Sequence, residues 1–332
     1  MKGKGLEFFV GFITSAGCLA WIIYYIEESK FIGELRGADI SLIALAVAII
    51  FISYVIRGAR WPLFFEGRNI SFYNSFRCLI VGFFMNNMLP ARIGEFIRAH
   101  VGGRVTRLSR ALVLATVAGE RLADGIVISF YFIVFFTFGA TVQQYEDGRA
   151  IYVVCYLFAA AGLMTSVVLF FRKLFFRFLE IILGYFPNKM LGYSFKKLNL
   201  FVDGLEPMMK LKNMLPILAE SLLIWGLELL AYYLVTIAFH QQMNLAGLSL
   251  FLAVVNFSSL IPAMPAGIGV IEALATLSLV KIGINKETAL AMVATQHIIQ
   301  IAVVGIPGAY YFYSTMGGRI PETNQLISGE TV

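Results

Sequence analysis

The chain has 332 residues, of which 59% are hydrophobic and 14% are charged, and its net charge is +6. Soluble domains carry about 25% charged residues. The low charged fraction, together with a mean hydropathy of +0.80, excludes a soluble protein and indicates a polytopic membrane protein. Lys and Arg fall in short clusters between apolar runs, which argues against nucleic-acid binding. The cysteines Cys18, Cys78 and Cys155 lie in apolar runs without a CxxC spacing, so they are predicted to be packing residues rather than a disulfide or metal framework. No cofactor is predicted.

Six apolar runs are long enough to cross a bilayer, for which a helix needs roughly 20 residues. We predict full transmembrane helices at Phe8–Ile26, Ile40–Ile56, Leu112–Phe138, Ile151–Phe171, Met214–Phe239 and Ala289–Tyr313. The first run has no cleavage site and is interpreted as a retained span. Two further apolar stretches, Phe72–His100 and Ala246–Val280, contain Pro and Gly in their middles and are predicted to be broken helices.

Clusters of Lys and Arg predict the orientation, because cytoplasmic loops carry the excess of these residues. The clusters after the second span and after the first broken stretch are predicted to be cytoplasmic, and they contain Arg57, Arg60, Arg68, Arg98, Arg104, Arg107 and Arg110. The acid-rich loop Glu27–Asp39 is predicted to be external. Phe72–His100 then starts and ends inside, whereas Ala246–Val280 starts and ends outside. Each is therefore predicted to form a re-entrant hairpin.

The same pattern predicts the domain organisation. A single membrane domain covers residues 1–316, with halves at about 1–140 and 150–316, and residues 317–332 form a cytoplasmic tail. The segment 172–212 mixes basic and aromatic residues and is predicted to lie on the cytoplasmic membrane surface. The predicted fold class is all-α, with about six full transmembrane helices and two oppositely directed re-entrant hairpins in an inverted repeat. Both termini are predicted to be cytoplasmic.

The two broken stretches share a Pro-Ala-x-Ile-Gly motif, which begins at Pro90 in the first and at Pro265 in the second. Each motif follows a half-helix that contains Asn and is followed by a Glu. Proline ends a helix and glycine lets backbones approach closely, so the predicted helix-break residues are Pro90, Gly94, Pro265, Gly267 and Gly269. Non-helical backbone at membrane depth must face protein or a water-filled cavity. The half-helix after each break directs free N–H groups and the positive end of its dipole into that cavity. An anion is therefore the predicted ligand.

Several charged residues lie inside the predicted membrane segments, where each costs roughly 2.5–3.5 kcal/mol unless it is paired or faces a polar cavity. The acids are Glu95, Glu120, Asp124, Glu220, Glu228 and Glu272, and the deep arginines are Arg92 and Arg121. Arg121 is placed to pair with Asp124 one helical turn away. For Glu120, Arg121 and Asp124, a structural ion-pair network and a substrate-facing polar wall both remain open. Glu220 and Glu228 are predicted to serve helix packing or hydrogen bonding.

The mouth of the first break holds the main candidate for substrate contact. Arg92 is predicted to bind a phosphate group, and Glu95 is predicted to pair with it when no lipid is bound. The alternative is a permanent ion pair that closes the hairpin. In the last span Gln296 is predicted to face the same cavity, whereas His297 is interpreted as a packing residue. The candidate substrate-binding residues are Arg92, Glu95, Glu120, Arg121, Asp124, Glu272, Asn87 and Gln296.

The stretches NNMLPARIGEFIR, GERLAD and PAMPAGIGVIEA resemble the lysylphosphatidylglycerol synthase transmembrane family, over roughly residues 5 to 315. This family is a flippase-like membrane module found alone or ahead of the aminoacyl-phosphatidylglycerol synthase domain of multiple peptide resistance factors. The resemblance implies a bacterial or archaeal plasma membrane and movement of lipids between leaflets. The matching positions are Pro90, Arg92, Gly94 and Glu95; Glu120, Arg121 and Asp124; and Pro265, Gly267, Gly269 and Glu272. The chain ends about fifteen residues after its last span, so a stand-alone module without the synthase domain is expected.

Three functions fit these features. The first is a flippase that moves an anionic or modified phospholipid, or a polyprenyl-phosphate lipid, through a midplane cavity between the hairpins. The second is an integral-membrane aminoacyl or glycosyl transferase; the sequence has no P-loop, HExxH, DxD or nucleotide-binding glycine motif, so an enzyme is not predicted. The third is a subunit that presents lipid to a separate enzyme. Membrane lipids are the predicted partners, with a second copy of the chain or a lipid-modifying enzyme as further candidates. Without an ATPase motif, uphill transport would use an ion, potential or substrate gradient.

Overall fold

The computed structural model describes residues 2–65, 70–89, 92–139, 188–261 and 263–317, and isolated residues between 152 and 177. All regular structure in this part of the chain is helical. In chain order the helices are α1 (Lys2–Tyr25), α2 (Glu28–Gly37), α3 (Ile40–Arg60), α4 (Phe72–Met88), α5 (Ile93–Thr106), α6 (Arg110–Gly139), α7 (Asn188–Met209), α8 (Leu211–Ala238), α9 (Leu245–Ser258), α10 (Val270–Lys281) and α11 (Lys286–Met316). Short 3-10 turns cover Trp61–Phe65 and Pro265–Gly267.

Side chains at the helix starts explain where several helices begin. Asp39 accepts a hydrogen bond of 2.8 Å from the Ser41 N–H at the start of α3. Ser71 caps α4 and Asn244 caps α9 in the same way. Each cap satisfies an N–H group that has no partner within its own helix, and a cap of this kind stabilises a helix by about 1 kcal/mol.

Three helical segments are long and apolar enough to cross a membrane: Ile40–Phe65, Leu211–Ala238 and Lys286–Ser314. They coincide with the second, fifth and sixth predicted spans, so the prediction of a membrane protein whose described part is helical is confirmed. α1 and α6 cover the first and third predicted spans. The fourth, Ile151–Phe171, lies almost wholly outside the described residues. The total of six spans therefore stays a prediction.

Both predicted broken helices are interrupted in the structure. α4 ends and α5 begins around the first motif, and α9 ends and α10 begins around the second. The four helices have 17, 14, 14 and 12 residues, which corresponds to about 25, 21, 21 and 18 Å at 1.5 Å per residue. Each is shorter than the hydrocarbon core of a bilayer, which is about 30 Å thick.

The backbone at the breaks takes left-handed conformations. Arg92 has φ +52° at the first break, and Gly267 and Gly269 have φ +81° and +91° at the second. Glycine adopts positive φ without steric strain, which explains the two glycines of the second motif. Pro265 begins the 3-10 turn in front of them. Pro90 lies outside the described residues.

The helices on either side of the first break pack with their backbones in close approach. A Cβ atom on Gly94 would lie 2.1 Å from the carbonyl oxygen of Gly82 and 2.6 Å from the amide nitrogen of Asn86. A Cβ atom on Gly82 would lie 2.8 Å from the Cβ of Arg98. Only glycine fits at position 94, the second residue of α5, because a side chain there would collide with the backbone of α4.

Helix contacts repeat between the two halves of the chain. α4, which precedes the first break, packs against α11. α9, which precedes the second break, packs against α6. Likewise α5 contacts α6 and α10 contacts α11, while the two helices that precede the broken stretches, α3 and α8, pack against each other. The chain thus contains two four-helix units, α3–α6 and α8–α11, whose helices correspond in order. The two units pack against each other through corresponding helices.

The segment 172–212 is described mainly through α7. This helix packs against α6, where a Cβ atom on Gly204 would lie 2.5 Å from the carbonyl oxygen of Leu112. Arg177, one of the isolated described residues, is exposed. α7 is therefore part of the helical bundle, and its placement on the membrane surface stays a prediction.

Candidate functional site

A network of charged side chains lies between α3, α5, α6 and α8. It contains four arginines and four acids, so its formal charges cancel: Arg57, Arg60, Arg98, Arg121, Glu95, Glu120, Asp124 and Glu228. We call these eight residues the charge network. Most of them are fully buried, and each charge lies within ion-pair distance of an opposite one.

Three of these arginines belong to the clusters that were predicted to be cytoplasmic and outside the spans, and the structure buries them inside the helical bundle. Arg57, Arg60 and Arg98 are 4%, 0% and 1% exposed. α3 continues past the predicted end of its span at Ile56 to Arg60, so the two arginines lie on the helix and point into the bundle. A buried guanidinium group needs a carboxylate partner, and α6 and α8 supply these partners.

Asp124 on α6 is the centre of the network. Its carboxylate accepts hydrogen bonds from Arg60 at 2.7 Å, Arg57 at 3.2 Å and the Trp225 indole at 3.0 Å. Arg121 lies 3.7 Å away, which is the one-turn pair that the sequence predicted. Asp124 thereby connects α6 to both α3 and α8.

Glu120, one turn before Asp124, binds α5. Arg98 donates two parallel hydrogen bonds to its carboxylate, at 3.0 and 2.8 Å. The Arg98 guanidinium also lies 4.0 Å from the ring centre of Trp61, in a cation–π contact. This geometry holds the half-helix after the first break against α6.

Glu228 on α8 completes the buried part of the network. It accepts hydrogen bonds from Arg57 at 3.3 Å and from the Ser53 hydroxyl at 2.9 Å. Gln300 on α11 donates to its second oxygen at 2.7 Å. The hydrogen-bonding role predicted for Glu228 is confirmed, and its cation is Arg57, which is remote in the sequence.

Arg121 and Glu95 form the accessible edge of the network. Their ion pair has a length of 3.2 Å, and the two side chains are 26% and 22% exposed. The Arg121 guanidinium lies over the ring of Phe83. The sequence predicted that Glu95 pairs with Arg92, but in the structure Glu95 pairs with Arg121.

Arg92 joins the two breaks. Its guanidinium donates to the backbone carbonyl of Ser259 at 3.2 Å and to the Ser259 hydroxyl at 2.5 Å. Ser259 is the residue that follows α9, at the start of the second break. Among the described side chains no carboxylate lies within ion-pair distance of Arg92. It is a half-buried cation held by neutral groups.

A second polar pair holds the second break. Glu272 on α10 and His297 on α11 are 2.5 Å apart between Oε1 and Nδ1. The other carboxylate oxygen accepts the Gly269 N–H at 2.6 Å, and Nε2 of His297 lies 3.1 Å from the carbonyl oxygen of Ala266. His297 is buried and both of its ring nitrogens have partners, as expected of a satisfied packing residue, and these partners are a carboxylate and the backbone of the break.

The remaining candidate residues lie near the two breaks. Gln296 is buried, and the Tyr232 hydroxyl lies beside both Gln296 and Asn256. Asn87 is half-buried near the end of α4. In the described part of the chain, no group of three or more His, Cys, Asp or Glu is arranged to hold a metal ion.

The sequence profile of the lysylphosphatidylglycerol synthase TM region matches residues 8–308. A UPF0104 membrane protein of Methanothermobacter thermautotrophicus is 25% identical, over 96% of this chain and 99% of the relative. The UPF0104 membrane protein PH1989 of Pyrococcus horikoshii is 22% identical, over 86% of this chain and 91% of the relative. The match covers both breaks and the charge network, and the chain therefore belongs to the family of the lysylphosphatidylglycerol synthase TM region.

Proposed function

We propose that the protein moves an anionic lipid between the two leaflets of the membrane, along a path where the two helix breaks meet. This proposal rests on Arg92, whose guanidinium has no carboxylate partner among the described residues. The charge network is neutral as a whole, so its arginines already have carboxylate partners. Arg92 is bonded only to the neutral Ser259 among described groups, which leaves its charge available to a lipid phosphate.

The architecture supports such a path. Four short half-helices and the equivalent contacts of the two four-helix units fit an inverted repeat of two re-entrant hairpins. In transporters built this way, discontinuous helices form the substrate site near the bilayer midplane. We propose six full spans, one membrane domain over residues 1–316 and cytoplasmic termini. The archaeal relatives fit a plasma membrane location.

In the proposed mechanism a phosphate replaces Ser259 as the partner of Arg92. A guanidinium group can donate two parallel hydrogen bonds to phosphate oxygens, and such charge-assisted bonds are stronger than the bonds to a hydroxyl and a carbonyl. The link between the two breaks is then broken, and the hairpins are free to move apart. Arg121 and Glu95 form the polar wall beside the headgroup, and Asn87, Gln296 and Glu272 line the path further along.

An enzymatic role is less well supported. The family description names a synthase region, and a transferase acting on lipid headgroups would need a carboxylate free to move a proton. Glu120 and Asp124 are each bound by arginine guanidinium groups, so they are suited to fix helices together. A lipid-presenting subunit that acts with a separate enzyme is the remaining alternative, and it is distinguished by the absence of leaflet exchange with purified protein.

The experiment uses purified protein in liposomes with a fluorescent phosphatidylglycerol, quenched from outside by dithionite. We expect wild-type protein to expose the inner-leaflet probe and Arg92→Lys to do so at least about tenfold more slowly, because a charge-assisted hydrogen bond contributes about 1.5–3 kcal/mol. Arg77→Lys is the matched control, since Arg77 is also half-buried but contacts Asn74 and the ring of Tyr73. Wild-type exchange rates for both Arg92→Lys and Arg92→Gln would overturn the assignment of Arg92.

A further inference from the structure

The contacts of His297 require more protons than a neutral imidazole carries. Its Nδ1 faces a carboxylate oxygen of Glu272 at 2.5 Å, and its Nε2 faces the carbonyl oxygen of Ala266 at 3.1 Å. Both partners are acceptors when Glu272 is ionised, whereas a neutral imidazole has a single N–H group. Both hydrogen bonds form only if the pair holds one additional proton, either as an imidazolium or as a protonated carboxyl.

That proton fixes the backbone of the second break. Ala266 has φ +60°, a left-handed conformation that a residue with a Cβ adopts only when its surroundings impose it. His297 holds the Ala266 carbonyl group, and Glu272 holds the Gly269 N–H group. Loss of the proton removes one of the hydrogen bonds that constrain the segment Pro265–Gly269, and it leaves the Glu272 carboxylate without a cation.

The first half of the chain has an equivalent pair without this property. Glu95 lies in the half-helix after the first break and pairs with Arg121 on the next helix, just as Glu272 pairs with His297. The neighbours match as well: Glu120 and Asp124 flank Arg121 at the same spacing as Gln296 and Gln300 flank His297. Arginine does not lose its proton in proteins. One break is therefore held by a permanent cation and the other by a titratable one.

We propose that Glu272 and His297 form a proton-binding site that couples proton movement to the opening of the second break. This inference rests on the proposed function, to which it adds the coupling ion. When the site is protonated, the imidazolium holds Ala266 and the break is closed. When the proton passes from the imidazole nitrogen to a water molecule, the break is released, and rebinding of a proton from water closes it again.

The surroundings of the pair do not supply another cation at bonding distance among the described residues. Cys18 on α1 faces Glu272. Several charged or titratable groups on elements packed against α11 and the break have partners other than Glu272 and His297. Tyr54 and Glu228 bond to Gln300, Tyr232 lies beside Gln296, Arg92 bonds to Ser259, and Glu287 bonds to the Glu27 N–H. The cations Arg77, Lys30 and Lys286 contact Asn74, Glu27 and the Tyr25 carbonyl group. His297 is thus the group whose protonation decides the charge next to Glu272.

Proton binding is measured first without transport. The chain has three histidines, so protein labelled with ¹⁵N-histidine gives few ring signals, and His297→Gln assigns one of them. We expect the His297 ring-nitrogen signals to change with pH, and Glu272→Gln to alter that response. A His297 signal that does not depend on pH, or a response that is the same in Glu272→Gln, would overturn the proton site.

Coupling is then measured in the liposome assay. We expect the exchange rate of wild-type protein to rise with pH, by at most about tenfold per pH unit because the deprotonated fraction changes by no more than that. His297→Arg reproduces the permanent pair of the first half and should remove the pH dependence, whereas His240→Gln should retain it. His240 lies in the loop between α8 and α9, where its ring contacts the carbonyl group of Gly37.

The two assays separate the inference from the function on which it rests. Lipid exchange that is independent of pH in wild-type protein would contradict proton coupling and leave the transport proposal standing. Absence of exchange at every pH, together with a titrating His297 signal, would contradict transport and leave the proton site standing. A pH dependence that persists in His297→Arg would place the coupling proton elsewhere.

Discussion

The ion pair between Arg98 and Glu120 allows a direct measurement of what the charge network contributes to stability. Its two hydrogen bonds are 3.0 and 2.8 Å long, and the side chains are 2% and 0% exposed. Arg98→Met keeps an unbranched stem against Gly82 and leaves Glu120 with Arg60 and Arg121, which are 3.9 and 3.7 Å away. Breaking a buried pair by removing one partner costs about 3–5 kcal/mol, and we expect a loss of that size.

A double-mutant cycle separates the pair from its surroundings. Glu120→Leu alone leaves Arg98 without its carboxylate and should cost a similar amount. The double variant has neither charge, and apolar replacement of a buried pair is often nearly neutral. We therefore expect it to cost at least about 2 kcal/mol less than the sum of the single variants.

The assay is the free energy of unfolding in bicelles, measured by steric trapping. The pair Glu27–Lys30 is the control, because its side chains are 53% and 64% exposed at a distance of 2.7 Å. Its coupling energy should stay below about 1 kcal/mol. Additive losses at Arg98 and Glu120, or a coupling no larger than in the control pair, would refute the view that the network holds α5 against α6.

Two further substitutions test the breaks. Gly94→Ala should prevent correct folding, since its Cβ would lie 2.1 Å from the Gly82 carbonyl oxygen. The control Gly305→Ala should fold normally, because no atom lies within 4 Å of the added Cβ. Equal yields of monodisperse protein for the two variants would contradict the close approach of α4 and α5. Ser259→Ala removes one of the two acceptors of Arg92. This variant should retain about fivefold more phosphatidylglycerol in native mass spectrometry, which corresponds to the loss of one competing hydrogen bond of about 1 kcal/mol. Less retained lipid than in wild-type protein would show that Ser259 helps to bind the headgroup.

Local features of the structure were predictable from the sequence. The breaks follow from Pro and Gly within apolar runs, because these residues act on the backbone at their own positions. The contact between Arg121 and Asp124 follows from helical spacing. The all-helical membrane class follows from hydropathy alone. Each of these inferences needs only a few consecutive residues.

The tertiary partners of the buried charges were not predictable in the same way. Arg57 is 67 residues from Asp124 and 171 from Glu228, and neither hydropathy nor helical periodicity relates such positions. Arg57 was predicted to lie beyond the second span in a cytoplasmic cluster, because the orientation rule uses arginines at the end of an apolar run as markers of the cytoplasmic side. One signal was available: six acids but two arginines were placed in the membrane segments, and an imbalance of that size requires additional buried cations.

The neutrality of the charge network bears on which headgroup the path accepts. An anionic headgroup that enters beside Arg121 and Glu95 adds a negative charge to a region where every other charge is already compensated. In the proposed mechanism Arg92 is the cation that restores the balance, and it would leave Ser259 to do so. A zwitterionic headgroup brings its own cation, so on this proposal it would have no need of Arg92 and would not release the link between the breaks. The same residue would then select for anions and control opening, because the step that recognises the phosphate would be the step that separates the two hairpins.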